Sequence, residues 1–137
     1  MNPDKINIIT SYFQSRPEVV AVYLFGSHAK GKNRRGSDID LAILLRHDYL
    51  CEEDNLYIKY IQALTMLTRE DFHLVFMNKA GEGILFQIFK YGKCIVNNIP
   101  ELLSRFKMTR YSMISDFTYY KERMQKSFIK NLIGTNQ

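Results

Sequence analysis

The sequence predicts an α/β fold, an α/β/α sandwich on a small mixed sheet with a helical arm at the C-terminal end. Two seven-residue segments, Val19–Phe25, wholly apolar, and Ile39–Leu45, apolar but for Asp40, are rich in β-branched or bulky residues and lack helical period, which marks buried strands. Segments with apolar residues every three or four positions flank them and mark helices. The resulting order, α-β-β-α-β-α-β-α, is that of helices covering a sheet rather than of a bundle or a β-sandwich.

The first helix is specified by Asn2 as its cap, Pro3 at its first position and Asp4 in its first turn. It runs to about Gln14 with Ile6, Ile9 and Phe13 on one face. Val19–Phe25 is the first strand and is stopped by Gly26. Gly26 to Ser37 is polar, holds three glycines and the bases Lys30, Lys32, Arg34 and Arg35, and reads as a loop with at most a short helix. Ile39–Leu45 is the second strand. From Asp48 or Cys51 to Thr68, Leu56, Tyr57, Tyr60, Ile61, Leu64 and Leu67 fall at helical spacing and predict a crossover helix. Asp71 to Met77 follows as the third strand, Asn78 to Glu82 as a turn, Gly83 to Tyr91 as a short helix ended by Gly92, and Lys93 to Val96 as an edge strand. Beyond Ile99, Leu102, Leu103, Phe106, Met113, Ile114, Phe117, Tyr120, Met124 and Phe128 predict one long helix with a break near Lys107 to Thr109. The expected organisation is a core over residues 1–98 and a helical extension over residues 99–137 that packs on the core, on a partner, or on both.

The chain has 137 residues, 46% of them hydrophobic and 24% charged, enough for one self-sufficient core without a disulfide or metal staple. The longest apolar run has seven residues, far short of the roughly 18 a membrane helix needs. The first ten residues lack the basic start and apolar core of a secretory signal, so a cytoplasmic protein is expected. Cys51 and Cys94 are the only cysteines and form no CxxC, which fits reduced thiols. The net charge of +5 is uneven: residues 1–100 carry twelve bases against eleven acids, and residues 101–130 seven against three. Such a basic arm suits nucleic acid, phosphate or an acidic protein, and charge does not choose among them.

The feature that carries chemistry is Gly26-Ser27, ten residues, then Asp38-Ile39-Asp40, with a strand before the glycine and another starting at the acids. Gly26 allows a sharp turn and close approach of a phosphate to the backbone. Ser27 offers a hydroxyl and an N–H, and a helical turn starting there would present free N–H groups to an anion. Asp38 and Asp40, two apart on a strand, project from one face and can share divalent metal. Hard oxygen ligands of this kind suit Mg²⁺ together with substrate phosphates, the arrangement of phosphoryl or nucleotidyl transfer.

These residues, as GSHAKGKNRRGSDID, match the pattern GSx10DxD, and with VYLFGSHAKG and GSDIDLAIL the chain resembles the nucleotidyltransferase superfamily related to DNA polymerase beta. Within it, the chain is similar to the minimal nucleotidyltransferases that act as antitoxins beside HEPN-domain toxins. The resemblance covers about residues 3 to 96. It implies that ATP is the substrate, that Gly26 and Ser27, with Lys30 and Ser37, hold the nucleotide, and that Asp38 and Asp40 bind Mg²⁺, with Mn²⁺ as a substitute. It implies transfer of AMP to a hydroxyl, a tyrosine of a HEPN toxin, and a partner docked on the late helix.

The resemblance also implies a third carboxylate on the next strand. Register from Leu74-Val75 places His73 there instead. Three readings stay open: His73 is the base that takes a proton from the attacking hydroxyl; Asp71, two residues earlier on the same face, reaches the site; or catalysis is impaired and the protein acts by binding its toxin. Imidazole suits Mn²⁺ better than Mg²⁺. A small-molecule nucleotidyltransferase is a further alternative, weakened by the lack of a second substrate-binding domain. Nucleic-acid binding finds no helix-turn-helix or stacking motif. His28 and His47 are expected at the surface, and Cys51 and Cys94 have no zinc-type neighbours.

Overall fold

In the computed structural model residues 3–26 and 38–110 are described. Helix α1 (Pro3–Gln14) precedes strand β1 (Val19–Phe25), and β2 (Ile39–Leu45) leads through a 3-10 segment (His47–Glu52) into α2 (Glu53–Thr68). Strand β3 (Phe72–Phe76), a 3-10 turn (Met77–Lys79), α3 (Glu82–Tyr91) and β4 (Lys93–Asn97) follow. Residues 100–110 form α4 up to the limit of the described residues. The sheet order is β3-β2-β1-β4, with β2 parallel to β3 and antiparallel to β1, and β4 antiparallel to β1 at the edge. The α/β sandwich with a mixed sheet is therefore as the sequence predicts.

The two-residue period of β2 divides the molecule. Ile39, Leu41, Ile43 and Leu45 face α1 and α2, where Ile9, Phe13, Leu56, Tyr60 and Leu64 close the first core layer. Ala42 and Leu44 face the other way, onto Leu85 and Ile88 of α3 and Leu103 of α4. Asp40 has the parity of Ala42 and Leu44 but sits at the strand's open end, where the second layer stops. His73 on β3 likewise stands opposite in parity to the buried Phe72, Leu74 and Phe76. A carboxylate and an imidazole thus replace core residues at one corner of the sheet.

Several polar side chains fix chain segments that the hydrophobic pattern leaves free. Asn78 accepts from Leu45 N and donates to Leu45 O, both at 2.9 Å, clamping the end of β2 to the turn after β3. Asn98 donates to Phe13 O and Val19 O, each at 3.0 Å, joining the ends of α1 and β4 to the start of β1. Buried Glu18 accepts a hydrogen bond from Tyr60. Arg69, at φ 60, ends α2 in the left-handed region, and Thr68 donates to Leu64 O at 2.8 Å while accepting from Glu70 N.

Some boundaries differ from the sequence reading. The crossover helix begins at Glu53, because the preceding six residues form a 3-10 segment with no fully buried residue to anchor a regular helix. Tyr57 and Leu67, at helical spacing in the sequence, flank the buried stripe and are exposed. The third strand spans Phe72–Phe76, so Asp71 and Met77 fall outside it. The helix read as Gly83 to Tyr91 starts one residue earlier, at Glu82. Gly92 ends it in an extended conformation, and its need for glycine is a close approach: a Cβ would stand 2.4 Å from Ile88 O. The expected break at Lys107 to Thr109 is absent; α4 runs through it, held by Leu103 in the core with Leu102 and Phe106 packed against it. The predicted cap Asn2 and the apolar positions from Met113 onward lie outside the described residues.

Candidate active site

Strand pairing assembles the site. Phe25, the last residue of β1, pairs with Asp40, and Asp40 pairs with His73 across the parallel β2–β3 ladder. Paired residues share a sheet face, so the end of β1, the Asp40 carboxylate and the His73 imidazole stand side by side. His73 Nδ1 lies 3.2 Å from Asp40 Oδ1. The Asp40 side chain is 26% exposed and that of His73 59%, so the pair forms the wall of an open corner.

Gly26 completes this corner from the other side. Its φ is +72°, in the left-handed region that favours glycine. A Cβ at this position would stand 2.2 Å from Asp40 Oδ2 and 3.1 Å from its Cγ. The space a side chain would take is thus filled by the carboxylate: one oxygen faces the imidazole and the other lies under the glycine turn. Gly26 is required twice, for backbone conformation and for the position of Asp40.

The structure brings Gly26, Asp40 and His73 together. Asp38 immediately precedes β2 and is exposed, so it is a strand-entry residue and not, as the sequence reading had it, within the strand. Asp71 is exposed at the entry to β3, and its carbonyl accepts from Ile39 N at 2.9 Å. Continuing the parallel register back by one residue sets Asp71 opposite Asp38, as His73 is opposite Asp40. Among the described residues, the carboxylates of Asp38 and Asp71 form no hydrogen bond or ion pair. Ser27, Lys30 and Ser37 lie outside the described residues, as does His28.

Whether the corner suits a divalent ion is a question of its donors. Asp38 and Asp40 supply hard oxygen donors, and the Asp40 carboxylate lies close under the Cβ-free Gly26. The third position is an imidazole, and among the described residues no three His, Cys, Asp or Glu side chains are grouped as a metal site. The two carboxylates fit a magnesium-type ion; His73 adds a nitrogen donor such ions favour less.

Two contacts escaped sequence reasoning. The resemblance set His73 beside the acids, but the direct contact of its Nδ1 with Asp40 rests on the parallel register of β2 and β3, which the intervening helix hides. Asn78, read only as the start of a turn after β3, spends its amide on the Leu45 backbone.

Residues 7–101 match the model of the polymerase beta nucleotidyltransferase domain. The chain belongs to the polymerase beta nucleotidyltransferase family. No curated protein matches it. Among solved structures, a toxin-antitoxin crystallised with AMP-PNP is 24% identical, with 94% of this chain and 99% of that chain covered and a TM-score of 0.70. A MNT antitoxin in complex with the tri-AMPylated HEPN toxin of Shewanella oneidensis is 22% identical, covering 94% of this chain and 99% of that one, with a TM-score of 0.68. An MntA-HepT toxin-antitoxin is 21% identical over 93% and 99% of the two chains, at TM-score 0.67. These likenesses show a shared fold. No described helix of this nucleotidyltransferase-family chain is long and apolar enough to cross a membrane.

Proposed function

We propose that this nucleotidyltransferase-family protein is an antitoxin that transfers AMP from ATP to a tyrosine hydroxyl of a cognate HEPN toxin. The observation that carries the reading is the Asp40–His73 contact under the Gly26 turn. It is supported by the fold shared with toxin-antitoxin proteins, among them one crystallised with AMP-PNP and one whose toxin partner is AMPylated.

In this reading Gly26 and Ser27 receive the triphosphate, with Lys30 and Ser37 as further contacts, and Asp38 and Asp40 hold the divalent ion. That ion, Mg²⁺ or Mn²⁺, supplies charge neutralisation at the phosphates. With its Nδ1–H assigned to Asp40, His73 would keep Nε2 as the ring nitrogen that takes the proton. The tyrosine oxygen attacks the α-phosphorus, its proton passes to His73 Nε2, and the bond to the pyrophosphate oxygen breaks. Asp40 holds the imidazole in the tautomer and orientation this needs. Asp71, exposed at the entry to β3, is the alternative proton acceptor in this reading.

An imidazole, His73, in place of a third carboxylate beside Asp40 favours a second reading, an antitoxin that neutralises by binding alone. Intact mass spectrometry of the purified toxin, after incubation with this protein, ATP and Mg²⁺ or Mn²⁺, separates the two. Addition of AMP that is lost in Asp38→Asn/Asp40→Asn and lowered about 10²-fold or more in His73→Ala supports transfer. No added mass from a stable complex supports binding alone.

A further inference from the structure

Away from this corner, a groove of 400 Å³ opens between the close of β2 and α4. Leu45, in its lining, lies five residues along β2 from Asp40, about 16 Å. Val20, Leu44, Leu45, Leu50 and Leu102 contribute aliphatic lining, and Phe106 and His47 contribute rings. Arg46, Arg105 and Arg110 stand around it with His47, and among the described residues no carboxylate lines it. Asp48 meets Arg46 at 3.5 Å from outside the groove. Arg105 has no hydrogen bond or ion pair among the described residues. Arg110 donates to Ala80 O at 2.7 Å, lies 5.6 Å over the Phe106 ring, and keeps its Nε buried without a partner. Its guanidinium is held in place with donor capacity unspent.

We propose that this groove docks an acidic, aliphatic segment of the partner protein, an inference that rests on the partner reading above. Three features choose this occupant. Arg105 and Arg110 are five residues apart in α4, about 7.5 Å along the axis, with Arg46 on the β2 side. Cations spread in this way match separate carboxylates better than one compact phosphate, and each guanidinium can take a carboxylate through two hydrogen bonds. The Phe106 ring already faces Arg110, and the mainly aliphatic lining suits leucine-like side chains better than a row of stacked bases. The N–H and C=O of Leu45 are both taken by Asn78, so recognition here runs through side chains and not through strand addition.

The test is titration calorimetry of the purified toxin against the wild-type chain and Arg105→Glu, at low and high salt, with thermal unfolding of both chains as the folding control. Arg105 is exposed, so its reversal leaves the fold intact. The proposal expects affinity to fall at least about tenfold in the variant and the salt dependence to weaken. A photo-crosslinking side chain at Thr109 is expected to label a toxin segment in which Asp and Glu outnumber Lys and Arg. If the wild-type chain does not bind the toxin, the partner reading falls and this inference with it. If it binds and Arg105→Glu binds equally, the groove inference alone is overturned. Displacement of the toxin by oligouridylate, or crosslinking at Thr109 to a second copy or to residues of the same chain beyond 110, also overturns it.

Discussion

Gly26→Ala perturbs the site through one methyl group, and both of its effects follow from the geometry. Alanine at φ +72° costs about 1–2 kcal/mol of backbone strain. For a chain of this length that lowers the thermal midpoint by about 5 °C. The new Cβ also stands 2.2 Å from Asp40 Oδ2, where contacts under 3.0 Å are not tolerated. The carboxylate must retreat by roughly 1 Å, and a misplacement on that scale costs on the order of 10²-fold in rate. Asp40 cannot retreat and keep its 3.2 Å contact with His73 unchanged. A double-mutant cycle separates strain from clash: in an Asp40→Ala background the overlapping oxygens are gone, so Gly26→Ala costs only the strain. Denaturant unfolding of the four proteins should show the double variant less destabilised than the sum of the singles. Strict additivity, or a Gly26→Ala protein as stable and active as wild type, would refute the argument that glycine is held here by both conformation and the Asp40 carboxylate.

Other substitutions probe the scaffold. Burial, followed by the hydrogen bond to Glu18, raises the Tyr60 pKa above its ordinary 10.0. The folded state therefore keeps a proton the unfolded state loses, so the stability Tyr60 contributes is present below pH 10.0 and falls as pH rises past it. Tyr60→Phe should lose about 1–3 kcal/mol at neutral pH by leaving Glu18 without its donor, and should flatten the alkaline decline; urea titrations at about pH 8 and about pH 11 compare the two. Asn78→Ala removes both Leu45 backbone partners and should cost about 1–3 kcal/mol, with amide exchange at Leu45 accelerated. Phe13→Ala empties a fully buried position packed edge-on against Tyr60 and should cost about 3–5 kcal/mol by denaturant unfolding.

Much of this molecule is local in the sequence. The strands Val19–Phe25 and Ile39–Leu45 are unambiguous because both faces are buried along most of their length, with seven successive apolar residues in the first and only Asp40 interrupting the second. Pro3 and Asp4 mark α1, and the glycine after β1 and the acids before β2 announce the corner where charge replaces core. Spacing alone joined Gly26 to Asp38 and Asp40. What spacing could not supply is the geometry across strands. His73 meets Asp40 only because β3 lies parallel to β2 in one register, which a sixteen-residue helix between them leaves undetermined in the sequence. The same holds for the demand that Asp40 makes on Gly26, for Asn78 closing on Leu45, and for Arg46 and Arg105 meeting around one groove. Side-chain period and turn chemistry act between neighbours in the chain and can be read from it. Register, clash and the convergence of charges act between residues tens of positions apart, and those distances exist only once the sheet has formed.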